Sequence, residues 1–201
     1  EDLGVRKGRV SHIDGMNVLE TSPRPAGPFH DPPRFISVGR MVPQKGFDTA
    51  LRALAEVPPP WTYTIVGYGV LERELKELAE RLGIASRVRF AGRITDIADA
   101  LRDSDVFLFP SRWEGLGLAA LEAASVHLPV LASDLPPLRS VFPASQRVSA
   151  EDPGAWSRAI RSVLAHPDDA LRSAGRLAPK ILKRFHPDTV TDQYAALYRR
   201  V

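Results

Sequence analysis

Two acids stand in an otherwise apolar stretch: Glu114 and Glu122, with seven residues between them in Glu-Gly-Leu-Gly-Leu-Ala-Ala-Leu-Glu. Acids on an apolar helix that packs against a sheet are costly unless something hydrogen-bonds them. Their carboxylates suit sugar hydroxyls. Between them, Gly115 and Gly117 precede a helix opening near Leu118, and the amides of Leu116, Gly117 and Leu118 can donate to phosphate oxygens. Glu122 rises about 6 Å further along that helix, at ~1.5 Å per residue. An elongated ligand with sugars at both ends of a diphosphate would engage both acids. The alternatives are a loop acid at 114 and a structural acid at 122. A second cluster is Gly39, Arg40 and Lys45. Arginine offers a planar fork of donors and lysine a mobile point charge, a combination that suits a diphosphate. Two solvated charges at a helix start are the alternative there.

The elements that must carry these residues alternate. Strand patterns are expected at 34–38, 62–66, 88–91, 106–109 and 130–132. Helices are expected at 47–57, 71–82, 96–102 and from 118, then at 152–165, 169–185 and 188–201. Leu71, Leu75, Leu78 and Leu82 share one face of their helix. Thr95 or Asp96, Asp152, and Asp168 or Asp169 are the expected N-caps. Strand and helix in alternation imply parallel β-α-β units: an α/β fold with a doubly wound, Rossmann-like parallel sheet. In such sheets ligands lie beyond the carboxyl ends of the strands. Both clusters follow strands, as do Gly67-Tyr68-Gly69 and Gly92-Arg93-Ile94. Residues 1–20 read as irregular or weakly strand-like, and five prolines between 21 and 33 read as an extended linker.

Composition narrows the function classes. The 201 residues suffice for one domain with a core, and 44% hydrophobic with 25% charged is ordinary for a globular chain. Net charge is +3, and the basic residues are scattered without an aromatic RNA-binding pattern, so no nucleic acid partner is expected. No run of 18 apolar residues implies a transmembrane segment. The absence of cysteine excludes disulfides and cysteine-zinc sites and fits a reducing compartment. Asp103-Ser104-Asp105 reads as Asp-x-Asp, but it precedes a strand and so falls at the wrong edge for a metal-bound nucleotide sugar. Gly67-Tyr68-Gly69 lacks the third glycine of a dinucleotide fingerprint, and Gly115-Leu116-Gly117 has no P-loop continuation. The five histidines show no ligand spacing.

Taken together, Pro110-Ser-Arg-Trp-Glu-Gly-Leu-Gly-Leu-Ala-Ala-Leu-Glu122, with Val38-Gly-Arg-Met-Val-Pro-Gln-Lys-Gly46, Ile65-Val-Gly-Tyr-Gly69 and Val88-Arg-Phe-Ala-Gly92, resembles the nucleotide-sugar-binding domain of retaining GT-B glycosyltransferases, glycosyltransferase family 4. The resemblance runs from about residue 34 to 200. It implies that Arg40 and Lys45 bind and stabilise the leaving diphosphate. Glu114 would hold the transferred hexose and Glu122 the ribose, backbone at Leu116–Leu118 the phosphate, and backbone near Arg93 and Ile94 the base. It implies no metal ion and no other cofactor, a front-face mechanism without a protein nucleophile, and a UDP-, GDP- or ADP-hexose as donor. It further implies that residues 1–33 are the tail of an N-terminal acceptor domain plus a linker, and that 34–201 form the donor domain. The location implied is cytoplasmic, with the acceptor domain able to meet the inner face of a membrane. The isolated chain should turn over weakly or not at all. The chain departs from the family at three sites: His127 replaces a usual glycine, Pro136-Pro137 a common glycine pair, and Ser140 a common glutamate. The first implies a reshaped turn before Pro129. Other readings are a non-catalytic nucleotide-sugar sensor or subunit, a phosphorylase or sugar-phosphate synthase, and a flavodoxin-like binding module.

Overall fold

The computed structural model describes residues 22–199. Its centre is a six-stranded, wholly parallel sheet in the order β3-β2-β1-β4-β5-β6. The strands are β1 (Arg34–Val38), β2 (Thr62–Val66), β3 (Val88–Gly92), β4 (Val106–Phe109), β5 (Val130–Ser133) and β6 (Arg147–Val148). The chain winds outward from β1 to β3, then crosses back to place β4 beside β1. That reversal is the switch point, where neighbouring loops leave the sheet in opposite directions and open a crevice. The expected Rossmann-like α/β fold is what the structure has.

The helices are α1 (Phe47–Ala55), α2 (Glu72–Arg81), α3 (Ile97–Arg102), α4 (Leu118–Ser125), α5 (Pro136–Arg139), α6 (Pro153–Ala165), α7 (Pro167–Arg184) and α8 (Pro187–Tyr198). Two cores follow from strand alternation. Phe35, Tyr63 and Ile65 face α1, α2 and α6, packing on Leu51, Leu54, Trp61 and Trp156. Ile36, Val66, Phe107 and Phe109 face the other way, onto Leu121 of α4 and Ile181 of α7. Of the α2 leucines, Leu75 and Leu78 are buried and Leu71 and Leu82 pack at the margin.

Several expectations are corrected in detail. Asp96 and Asp152 cap α3 and α6, each accepting from the amide three residues on. Neither Asp168 nor Asp169 caps α7: that helix begins earlier, at Pro167, with His166 in the cap position. Proline fits the first helical position because its missing N–H has no partner there anyway. The two aspartates fall in the first turn, where the helix dipole favours negative charge. His127 does not reshape its turn, since it adopts the left-handed φ of 64° that glycine favours. The irregular reading of residues 1–20, and Thr21, lie outside the described residues. From 22 to 33 there is neither helix nor strand, yet the segment is anchored. Arg24 donates to buried Asp105 at 2.7 Å and to the Ser104 carbonyl at 2.9 Å. His30 adds Nδ1 at 3.0 Å from the same carboxylate. The Asp-x-Asp pair is thus occupied at the amino edge, away from the crevice.

Candidate functional site

Three loops meet at the carboxyl edge, following β1, β2 and β4. Backbone bonds stitch the first two: Gly39 N–H donates to the Val66 carbonyl at 2.9 Å and Met41 N–H to that of Tyr68 at 2.9 Å. The third loop is pressed against the first. A Cβ on Gly46 would lie 2.1 Å from the Pro110 carbonyl oxygen, and Gly46 also holds φ +60°, so no other residue fits. This close approach sets Lys45 against the loop after β4.

There Lys45 Nζ donates to Glu114 Oε1 at 2.5 Å, and Ser111 Oγ donates to the same oxygen at 2.8 Å. Both charged side chains are largely buried, 17% and 8% exposed. The ammonium also sits 5.2 Å from the centroid of the Phe109 ring. Two residues expected to grip neighbouring parts of a ligand, the diphosphate and the transferred sugar, therefore hold each other. A charge-assisted bond of this kind is about twice as strong as a neutral one, so a ligand must be shared between the pair or must part them.

Arg40 is exposed, and among the described residues its side chain has no hydrogen-bond or ion-pair partner. With Gly39, Tyr68, Arg93 and Ile94 it lines a cavity of about 280 Å³. The Arg93 guanidinium lies 5.4 Å from the Tyr68 ring centroid and its Nη2 donates to the Tyr68 hydroxyl at 3.3 Å. Tyr68 is 55% exposed, so arginine and phenol together form a flat rim. Sequence reasoning placed only backbone here and missed Tyr68; its position directly after β2 was the available signal.

Glu122 stands apart. It is half-buried on α4, makes no side-chain hydrogen bond among the described residues, and burial raises its carboxyl above the usual range. No contact joins it to Lys45 or Glu114, and it does not line the cavity beside Arg40. The helix that carries it starts at Gly117, whose φ of +77° turns the chain into α4. A Cβ there would meet Leu138 at 2.9 Å. Gly115 faces open space. Leu116 packs at the margin of the second core, while Leu118 is half exposed at the helix mouth.

One residue the sequence gave no role organises the whole edge. Arg112 holds Asp48 at 3.0 and 2.9 Å through both terminal nitrogens. It also donates to the Pro43 carbonyl at 2.7 Å and, through Nε, to Glu151 at 2.7 Å. Its own amide donates to the Gln44 carbonyl at 2.8 Å. Burial alone would raise the Asp48 carboxyl, but the hydrogen bonds and charge of Arg112 pull it below the usual range. The hydrogen bond to Asp48 likewise pushes the Arg112 guanidinium up. The signal for this clamp was the pair of charges flanking the two clusters, Asp48 after Lys45 and Arg112 before Glu114.

The family model described as "Glycosyl transferases group 1" matches residues 20–179. The chain belongs to this group 1 glycosyltransferase family. Among curated group 1 relatives, the lipopolysaccharide core biosynthesis glycosyltransferase LpsE of Rhizobium meliloti is 32% identical over 94% of this chain and 54% of its own length. A glycogen synthase of Mycobacterium tuberculosis is 31% identical over 83% of this chain and 42% of its own. Among solved structures, HepE of Anabaena in complex with UDP superposes with a TM-score of 0.81 at 22% identity, covering 85% of this chain and 49% of that one. The chain thus spans about half the length of LpsE and less of the glycogen synthase. The matched segment of the group 1 family contains Arg40, Lys45, Arg93, Glu114 and Glu122 together.

Proposed function

We propose that this chain is the donor-binding domain of a retaining glycosyltransferase. The reaction moves a hexose from a nucleotide diphosphate sugar to an acceptor hydroxyl. The observation that carries the reading is the Lys45–Glu114 pair at the switch point, with exposed, partnerless Arg40 one loop turn away. Arg40 and Lys45 supply positive charge where the diphosphate leaves, which is the charge an enzyme of this kind must stabilise. Glu114 accepts from hydroxyls of the transferred sugar while it keeps Lys45 oriented. Glu122, half-buried and without a side-chain hydrogen-bond partner among the described residues, has capacity for the ribose hydroxyls. The amides of Leu116, Gly117 and Leu118 meet phosphate oxygens. The cavity beside Arg93 and Ile94 receives the base, against the rim made with Tyr68. The chemistry needs no protein nucleophile and no metal: the leaving phosphate takes the acceptor proton.

A second, N-terminal domain binds the acceptor in this reading, and without its positioning and water exclusion turnover by this chain alone is weak. HepE, its structural neighbour, was solved with UDP and with UDP-glucose, which makes uridine nucleotides the first probe. The location that fits this reading is the cytoplasm. Among the described residues no helix is long and apolar enough to cross a membrane.

Calorimetry with UDP, GDP and ADP on wild type and Arg40→Ala tests the proposal. At least one nucleotide should bind, and the variant should lose about tenfold, the value of one charged hydrogen bond of roughly 1.5 kcal/mol. Binding by none of the three, or equal binding in the variant, overturns it.

A further inference from the structure

Parallel sheets are covered on both faces, and their strands are accordingly apolar. One patch here breaks that rule. In the register of the sheet, Arg34 pairs with Thr62, and Ile36 with Thr64, which in turn pairs with Arg89. Alternation puts these side chains on the α3 face. Since α3 has only six residues, the amino half of that face is left open. The result is a recess of about 330 Å³ lined by Arg34, Thr62, Thr64, Ser86, Arg87 and Arg89. That volume is at the lower end of the range, about 300–1,000 Å³, in which proteins hold small ligands.

Its charge is unbalanced. The carboxylate on its wall, Asp103, is already committed to Arg34 at 2.6 Å. Arg87 and Arg89 have no carboxylate partner among the described residues. The Arg87 guanidinium lies 4.1 Å from the centroid of buried Trp61, which fixes its plane, and its Nη1 is buried without a hydrogen-bond partner. The hydroxyls of Thr62, Thr64 and Ser86 make no side-chain hydrogen bond among the described residues either. Arg87 brings a guanidinium held in place by its ring contact and Arg89 an exposed one, and the hydroxyls beside them are open to a ligand's oxygens.

We propose that this recess is an oxyanion site for the phosphate group of a small hydroxylated molecule. It lies at the amino edge of β1–β3, whereas the donor site proposed above lies at the carboxyl edge. Arg87 and Arg89 receive the phosphate oxygens, and Thr62, Thr64 and Ser86 bond the hydroxyls. This assignment does not depend on the donor reading.

The test is a residue-resolved NMR titration of the chain with inorganic phosphate and with glycerol 3-phosphate. Saturable shifts should centre on 62–64 and 86–89. The dissociation constant should rise at least tenfold in Arg89→Gln, whose exposed side chain can be replaced without disturbing the core. Thr64→Val should weaken glycerol 3-phosphate more than inorganic phosphate. Shifts confined to 39–45 and 116–118 would assign phosphate to the other edge and overturn the proposal. So would shifts at 62–64 and 86–89 that Arg89→Gln leaves unchanged. Loss of nucleotide binding at the carboxyl edge has no bearing on these residues, so the two proposals fail separately.

Discussion

Arg112 shows how much of the site depends on a side chain that need never touch a ligand. Arg112→Ala removes a bidentate bond to Asp48 and frees the Pro43 carbonyl, so a loss of about 1–2 kcal/mol is expected after allowing for partial exposure. Arg112→Lys cannot reproduce the fork and should recover only part of it. Urea denaturation measures both. The pH dependence has a definite sign. Because the folded-state Asp48 carboxyl is depressed, its contribution is fully present above the ordinary value of 3.8 and is lost as pH falls through the folded value. An Asp48→Asn variant should therefore show a shallower acid loss of stability below about pH 4. Glu122 behaves oppositely. Its folded carboxyl is raised by burial, so its contribution is full below 4.5 and disappears as pH rises through the folded value. Glu122→Gln should melt higher than wild type at neutral pH, with the difference vanishing below pH 4.5, while its nucleotide affinity falls. A melting temperature unchanged at neutral pH would show that burial does not strain this acid. The roles of these residues were unevenly visible. Lys45 and Glu114 stood out by type and by position after strands. That they bond one another did not, because the contact spans 69 positions and is created by backbone approach at Gly46.

Among the elements, those with a strong period were legible: all five expected strands and the Leu75–Leu78 face of α2 appear where hydrophobic spacing put them. The short pieces escaped. Pro136–Arg139 is one helical turn begun by two prolines, and Arg147–Val148 is a two-residue edge strand. Neither is long enough to show a period, and both exist because β5 and its neighbours pack them. The 3₁₀ turn Pro43–Lys45 is of the same kind, and it aims Lys45. Gly46 ends that turn and opens α1, which makes it a sensitive position of the edge. Gly46→Ala must either move the Pro110 carbonyl or abandon the left-handed backbone. It should cost at least about 2 kcal/mol and break the Lys45–Glu114 bond. Amide hydrogen exchange at 111–116 should then quicken; unaltered exchange would mean the two loops are held by something other than this approach.

Across the described residues, the two proposed sites fall on opposite edges of one sheet. The carboxyl edge carries the loops of the proposed donor site, and the amino edge carries the Arg24–Asp105–His30 anchor and the arginine-lined recess. Fold class followed readily from the alternation of strands and helices. The anchor did not, since an arginine among prolines looks like solvated linker until it meets a carboxylate 81 positions away. Arg24 is 6% exposed and Asp105 fully buried, so Arg24→Ala strands a buried charge and should cost about 3 kcal/mol. Calorimetric melting would read this as a drop of several degrees.

The self-satisfied Lys45–Glu114 couple has a corollary for selectivity in crowded solution. Lys45, its ammonium already neutralised by Glu114, offers chloride, sulfate or stray orthophosphate little bare charge to settle on, and the exposed charge is left to Arg40. Only a visitor that brings an oxyanion for the lysine and a hydroxyl for the glutamate can replace both halves of the bond at once. At the proposed donor site, bystander salts should thereby be turned away from the lysine by the cost of leaving one partner bereft.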